Sequence, residues 1–330
     1  MVNTAQAKPA VHHSFCAQDE TGKDEKKRME AKMNAAIRRE SPGKKKFYKV
    51  LERITESVFF LCAAAAVLAL SVILIFLFIQ GIPALREIGV WNFVTGTTWQ
   101  PSGNKFGILP MIVASLLATF GSALIGGFIG LMAALLLAEV APRFLANVIR
   151  PLIDLLAGIP SVVYGFFGLM VVVPLIIQLF GGTGNSLLAT IIILSAMILP
   201  TMVSLSETAV RAVPQAYREG SLALGATHMQ TIFRVTLPAA KSGVLNAFVL
   251  SLGRAIGETM AVILVAGNRS TMPTSILDPV RPMTANIALE LSYATGLHAE
   301  ALYATGVVLL CFIVVINITA HLVLRKKKEG

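Results

Sequence analysis

From residue 57 onward the chain alternates long apolar blocks with short polar stretches. The first block, 57–80, holds no charged residue. The others cover about 107–138, 152–180, 186–205, 243–266 and 301–324. Each reaches or exceeds the roughly 20 residues, about 30 Å of helix, that cross a hydrocarbon layer. None shows the two-residue alternation of a membrane β-strand. The pattern predicts an all-α polytopic membrane protein with six transmembrane helices. The block at 107–138 is long enough to tilt or to extend beyond the bilayer. The block at 152–180 contains Asp154, Gly158, Pro160 and Pro174 and is predicted to be broken or kinked, with Gly158 and Pro160 as structural hinge candidates. Pro200 interrupts the fourth block.

Composition agrees with the pattern. Of 330 residues, 55% are hydrophobic and only 14% charged, with mean hydropathy +0.73. A soluble chain carries about 25% charged residues. The net charge of +10 would suggest nucleic acid on a soluble protein, but here it gathers at the ends. Residues 1–53 hold 13 Lys or Arg against 7 Asp or Glu, and Arg325-Lys-Lys-Lys-Glu-Gly330 closes the chain. Basic flanks mark the cytoplasmic side of a membrane protein. The loops 81–106, 181–185 and 267–300 hold four Lys or Arg in all. The segments 139–151, 206–242 and the C-terminal end hold ten, without the N-terminal tail. Both termini and the 206–242 loop are therefore expected in the cytoplasm. The division is a basic, largely disordered tail over 1–50, a six-helix membrane domain over 51–325 and a basic tail over 325–330. A short helix is expected around Glu25 to Arg39. The first apolar block starts too late and runs too long for a secretory signal. Cys16, Cys62 and Cys311 show no pairing pattern or metal spacing.

The 206–242 loop is too polar for a span. After Pro214, Gln215 to Leu224 reads as one amphipathic helix, and Gly225 suits its end. Thr227 can cap a second helix with Ile232 and Phe233 on its apolar side, and Leu237-Pro238 is expected to stop it. Two short helices with a glycine joint make a compact knob that transmits a push if a partner clasps it. The chain has no nucleotide-cradling motif: Gly22-Lys23 and Gly43-Lys44 lack the flanking glycine and hydroxyl residues. No metal cluster and no nucleophile-base spacing stands out. His12, His13, His228, His298 and His321 are scattered, and read as structural or surface residues.

Arg254 and Glu258 lie inside the fifth block. A charge at a helix centre costs roughly 2.5–3.5 kcal/mol on insertion scales, so this face must look into protein or a wet cavity. Four residues apart, the two can share a helix face and pair. Gly253 and Gly257 beside them would admit another backbone. Either the pair is structural or it lines a translocation path, where an arginine offers planar donors to an oxyanion. Asp154 is expected to pair with Arg150, four residues earlier. Glu139 and Glu207 read as solvated helix ends, although either can contact the loop or a partner.

The spacing of Glu219-Gly-Ser, Gly225 and Leu237-Pro238 resembles the loop with which permease subunits of ABC importers grip their ATPase. Gly220 departs from the commoner alanine there. Further stretches resemble the permeases of high-affinity phosphate importers. They are Trp99-Gln-Pro101 with Phe106-Gly-Ile-Leu-Pro110, Glu139-Val-Ala-Pro142, Leu156-Ala-Gly-Ile-Pro-Ser-Val-Val-Tyr-Gly-Phe166 and Gly253-Arg-Ala-Ile-Gly-Glu-Thr-Met-Ala-Val262. Thr259-Met-Ala-Val is similar to the PstC branch rather than its PstA sister. The resemblance covers about residues 50–324. It implies the six-helix fold of type I ABC importer permeases, with Glu219, Gly225, Leu237 and Pro238 coupling to the ATPase and Arg254 and Glu258 in the translocation pathway. It implies a non-catalytic subunit without a cofactor of its own, ATP and magnesium being held by the partner ATPase. The implied partners are a PstA-like second permease, two PstB-like ATPase subunits, a PstS-like extracytoplasmic phosphate-binding protein, inorganic phosphate and membrane lipids, in a bacterial inner membrane. Import of another oxyanion, sulfate or molybdate, stays open, as does a secondary anion transporter or channel.

Overall fold

The protein is described by a computed structural model over residues 42–326. The expected helix at Glu25 to Arg39, most of the 1–50 tail and the last four residues lie outside that range. Among the described residues, six helices are long and apolar enough to cross a membrane: Glu52–Ile88, Leu109–Val140, Ser161–Phe180, Leu187–Arg211, His228–Gly257 and Leu297–Thr319. The chain divides into two units between Ile73 and Leu74. The described part of the first is the leading stretch of α1 (Pro42–Ile88). Its side chains are exposed throughout 52–73 and apolar on all sides, as lipid contact requires.

In the second unit, the end of α1 leads to α2 (Val90–Thr95) and a small antiparallel hairpin, β1 (Trp99–Gln100) and β2 (Lys105–Phe106). This hairpin and an isolated parallel bridge between Gly267 and Val280 are departures from an all-α chain. Then come α3 (Leu109–Leu135), which ends in a π-turn at Leu136–Val140, and α4 (Arg143–Gly158). α5 (Ser161–Phe167) and α6 (Val173–Phe180) form one span joined by a second π-turn. α7 (Leu187–Arg211) follows, then α8 (Gln215–Ala223) and α9 (His228–Thr231). The chain continues as α10 (Leu237–Gly257), α11 (Met260–Val265), α12 (Met283–Glu290) and α13 (Leu297–Lys326).

α7 is the most buried of the six spans, and its packing against α3 is the most extensive. Glycine makes that approach possible. A Cβ on Gly126 would sit 2.7 Å from the Ser195 carbonyl oxygen, and one on Gly130 would sit 2.8 Å from Met202. This is the small-xxx-small device by which membrane helices close up without a hydrophobic driving force. Ser195 Oγ then reaches the Ser122 carbonyl at 3.3 Å. The start of α7 is also tied down. Ser186 Oγ accepts from the Ala189 N–H, and the Ile276 and Asp278 carbonyls accept from Leu188 and Leu187. The loop supplying those carbonyls is held by Asp278. Its carboxylate accepts from the Thr274 N–H and hydroxyl and from the Ser275 N–H. Those bonds, the Thr274 N–H foremost, hold the carboxyl below its usual range.

Three expectations are corrected. The block at 152–180 is broken as expected, but only its second part is a span. Residues up to Gly158 belong to α4, Ile159 and Pro160 are extended, and the span begins at Ser161. Proline disfavours helical backbone in the residue before it, so Ile159 ends α4. α4 is amphipathic, burying Ala146 and exposing Phe144, Val148, Leu152 and Leu155. The block at 243–266 is also broken, because α10 ends at Gly257 and Glu258 is extended. Finally, Leu237-Pro238 does not stop the second loop helix. A π-turn at Ile232–Thr236 carries the helix on, and Pro238 sits in the first turn after it. The looser turn removes the clash a proline ring makes with the carbonyl four residues back.

Gly126→Val should lower the unfolding temperature of the detergent-solubilised protein, since overpacking costs roughly 1–3 kcal/mol. An unchanged midpoint would contradict the close α3–α7 contact.

Candidate functional site

Both loop helices form as expected, and their joint is well defined. Gly225 has φ +85°, a backbone region that costs glycine little. Thr227 and Gln230 form a reciprocal capping box at the start of α9. The Ser221 and Thr231 hydroxyls lie 3.0 Å apart and tie the two helices together. The outward face carries Glu219 with Tyr217, Leu222 and Leu224, all exposed, and Leu224 is 91% so. Leu237 packs into the core beneath and Pro238 is exposed. The loop thus shows an apolar, acid-edged face to a partner.

One ion pair fastens this knob to the bundle, and a second cluster joins α4 to α7. Glu139, at the end of α3, meets Arg218 of α8 at 2.7 Å. Arg218 also donates to the Val210 and Val213 carbonyls. Glu207 of α7 holds Arg150 of α4 at 2.7 Å and Arg211 at 2.8 Å, and Arg211 reaches the Leu137 carbonyl. Glu139 and Glu207 are therefore not solvated ends. Each is desolvated and matched by arginine, the arrangement burial demands. Arg150 is taken by Glu207, so the expected pair with Asp154 does not form. Partners 79 and 57 residues apart leave no local signal, and Arg218 was missed for that reason.

The opposite face has its own cluster. Glu290 accepts from Trp99 Nε1 at 2.9 Å, meets His298 Nε2 at 2.8 Å and pairs with Arg281 at 2.5 Å. His298 is structural there, stacked against Phe106, and His228 is exposed. His12 and His13 fall outside the described residues.

Arg254 and Glu258 are brought near the middle of the bundle but not to each other. Because α10 stops at Gly257, they do not share a helix face. Among the described residues no ion pair joins them. Arg254 is exposed on this chain and donates through Nη1 to Thr201 Oγ1 of α7 at 3.2 Å. Glu258 instead accepts from the Ala261 N–H at 3.1 Å, and its carbonyl takes the Thr284 hydroxyl. Its carboxylate caps the start of α11. Gly253 and Gly257 admit no close backbone here: a Cβ at either would meet nothing within 4 Å. The face around Arg254 is open. Across the Pro160 break, Tyr164 donates to the Leu156 carbonyl at 2.9 Å and latches α5 to the end of α4.

Residues 126–329 match the family described as binding-protein-dependent transport system inner membrane component. The chain belongs to this family. A probable ABC transporter permease protein YqgH of Bacillus subtilis is 43% identical, over 76% of this chain and 83% of its own. The phosphate transport system permease protein PstC of Mesorhizobium japonicum is 34% identical, covering 78% and 86%. That of Xylella fastidiosa is 35% identical, covering 86% and 92%. Among solved structures, an inward-facing MetNI methionine ABC transporter matches with TM-score 0.55 and 22% identity, over 69% of this chain and 99% of that one. A bacterial alginate ABC transporter matches with TM-score 0.55 and 20% identity, over 79% and 92%. These two show the fold, that of a six-helix type I ABC importer permease. The family and the six apolar helices point to a multi-pass inner membrane protein.

Within this permease fold, Glu219, Gly225, Leu237 and Pro238 fall together in or just beneath the knob. Gly158 and Pro160 fall at the α4–α5 break, Gly158 as the last residue of α4. Thr201, which holds Arg254, was not picked out from sequence, because a threonine in an apolar helix is unremarkable until its neighbour is known.

Arg218→Met should destabilise the permease by about 3 kcal/mol, leaving the buried Glu139 carboxylate unpaired. A thermal melt checks it. A drop no larger than that of an exposed Arg143→Met control would contradict the anchoring role.

Proposed function

We propose that this chain is the permease subunit of an ATP-driven importer of inorganic phosphate. The observation that carries the reading is Arg254, an exposed arginine within an apolar span that is not ion-paired. A guanidinium at that depth needs an anion, water or a partner chain. Its planar donors suit a tetrahedral oxyanion. Relatives named as phosphate permeases, aligned over most of the chain, support phosphate as the cargo.

The reading implies the following mechanism. With the basic segments inside, the knob faces the cytoplasm, and so do both termini. ATPase subunits clasp Glu219 and the apolar residues beside it, and ATP and magnesium reside on them. Closure of the ATPase pair pushes on α8, and the Glu139–Arg218 pair passes that push to α3. A second permease covers the open face beside Arg254, and the anion passes between the two chains. An extracytoplasmic binding protein delivers it at the opposite face. The α4–α5 and α10–α11 breaks are the places where the bundle can flex.

Arg254→Gln should abolish uptake of radiolabelled phosphate by cells that lack other phosphate importers, while the complex still purifies intact. Failure of assembly would instead make the arginine structural, and uptake of labelled sulfate alone would change the cargo. Gly225→Val forces a branched side chain into positive φ, and should leave ATP hydrolysis running while uptake falls. Undiminished uptake would contradict coupling through the knob.

A further inference from the structure

α7 carries a row of hydroxyls that begins at Arg254. Thr201, Ser204 and Thr208 stand at i, i+3 and i+7 and so share one face of the helix. Thr201 is half-buried, and Ser204 and Thr208 are exposed. Thr201 lies about 20 Å from the start of α7 and about 15 Å from its end at 1.5 Å per residue, so it sits near mid-membrane. The row ends in an open cavity of about 370 Å³ between α4 and α7, lined by Ser204 and Thr208 together with Arg150, Asp154, Glu207 and Arg211. That is many times the roughly 30 Å³ of one liquid water, so the cavity is wet.

The polar character of this row has no packing explanation. Hydroxyls on a span either bond back to the carbonyl four residues earlier or find other partners. Thr208 bonds back to Ser204. Thr201 instead accepts from Arg254, and its own O–H is left to donate. Arg254 keeps further N–H donors beyond the one given to Thr201. An oxyanion lying between the two would receive guanidinium and hydroxyl donors together. The cavity at the far end has balanced charge: Glu207 and Asp154 offset Arg150 and Arg211. Balanced charge suits release, because a strongly cationic vestibule would retain the anion.

We infer that the α7 hydroxyl row is the exit track of the permease: Thr201 with Arg254 forms the mid-membrane anion site, and Ser204 and Thr208 lead the anion to the Arg150–Arg211 cavity at the knob face. This inference rests on the reading of the chain as an anion permease and adds its route.

The test uses the full transporter complex in inside-out vesicles. Cys16, Cys62 and Cys311 of this chain are replaced by alanine, and single cysteines are placed at Thr201, Ser204 and Thr208. Leu124, 74% exposed on α3 among apolar neighbours, serves as the lipid-facing control. An anionic methanethiosulfonate reagent should label Ser204→Cys and Thr208→Cys at least about tenfold faster than Leu124→Cys, since only a wet thiol ionises readily. Inorganic phosphate, but not chloride at equal ionic strength, should slow labelling of Thr201→Cys severalfold. Labelling of Ser204→Cys and Thr208→Cys as slow as Leu124→Cys overturns the track. Labelling of Thr201→Cys that ignores phosphate overturns the site. Labelled phosphate uptake by whole cells carrying the cysteine-free parent is measured alongside. Its absence would bring down the phosphate reading, whereas its presence with unreactive track cysteines would bring down only the route.

Discussion

The approach of α3 to α7 at Gly126 and Gly130 positions everything else in the membrane domain. Lipid gives apolar helices no reason to prefer one another, so their association depends on how closely the backbones fit. With Gly126 against the Ser195 carbonyl, α7 is fixed as the buried spine. Three functional regions then hang from that helix. Its start is capped by the Asp278 loop, its middle presents Thr201 to Arg254, and its end supplies Glu207 and the Val210 carbonyl to the arginines beneath the knob.

The charged groups follow a single rule of desolvation. Near the knob the two carboxylates with little exposure are each matched by arginine: Glu139 by Arg218, and Glu207 by Arg150 and Arg211. These pairs are weak evidence for stability, but each fixes geometry. The Glu139–Arg218 pair holds the short helical hairpin to the end of α3, and Glu207 joins α7 to α4. In the middle of the bundle the rule is left incomplete. Glu258 accepts from the Ala261 N–H of α11, and Arg254 has, among the described residues, only the Thr201 hydroxyl. That incompleteness is what the proposed anion site rests on.

Sequence and structure contributed different parts. Six spans, the two loop helices, the Gly225 joint and the Thr227 cap were legible, because each depends on apolar periodicity or on residues within a few positions of one another. The exposed positions of Glu219 and Gly225 at that joint were legible for the same reason. The limits of the spans were legible only in part. A proline marks a break, but apolar density is the same on both sides of Pro160, so α4 merged with the span after it. Pro238 misled in the other direction, since a π-turn upstream absorbed it.

What tertiary structure alone decided was which charges meet. Arg254 and Glu258 look like a pair at four-residue spacing, and Arg150 and Asp154 do too. The α10 break separates the first, and Glu207, 57 residues away, takes the arginine of the second. By itself the sequence determined that this chain crosses a membrane and offers a glycine-jointed knob, because those properties are local sums over neighbouring residues. The anchoring of the knob and the setting of Arg254 against Thr201 required the fold, because an ion pair or hydrogen bond depends on distance in space, which sequence separation does not encode.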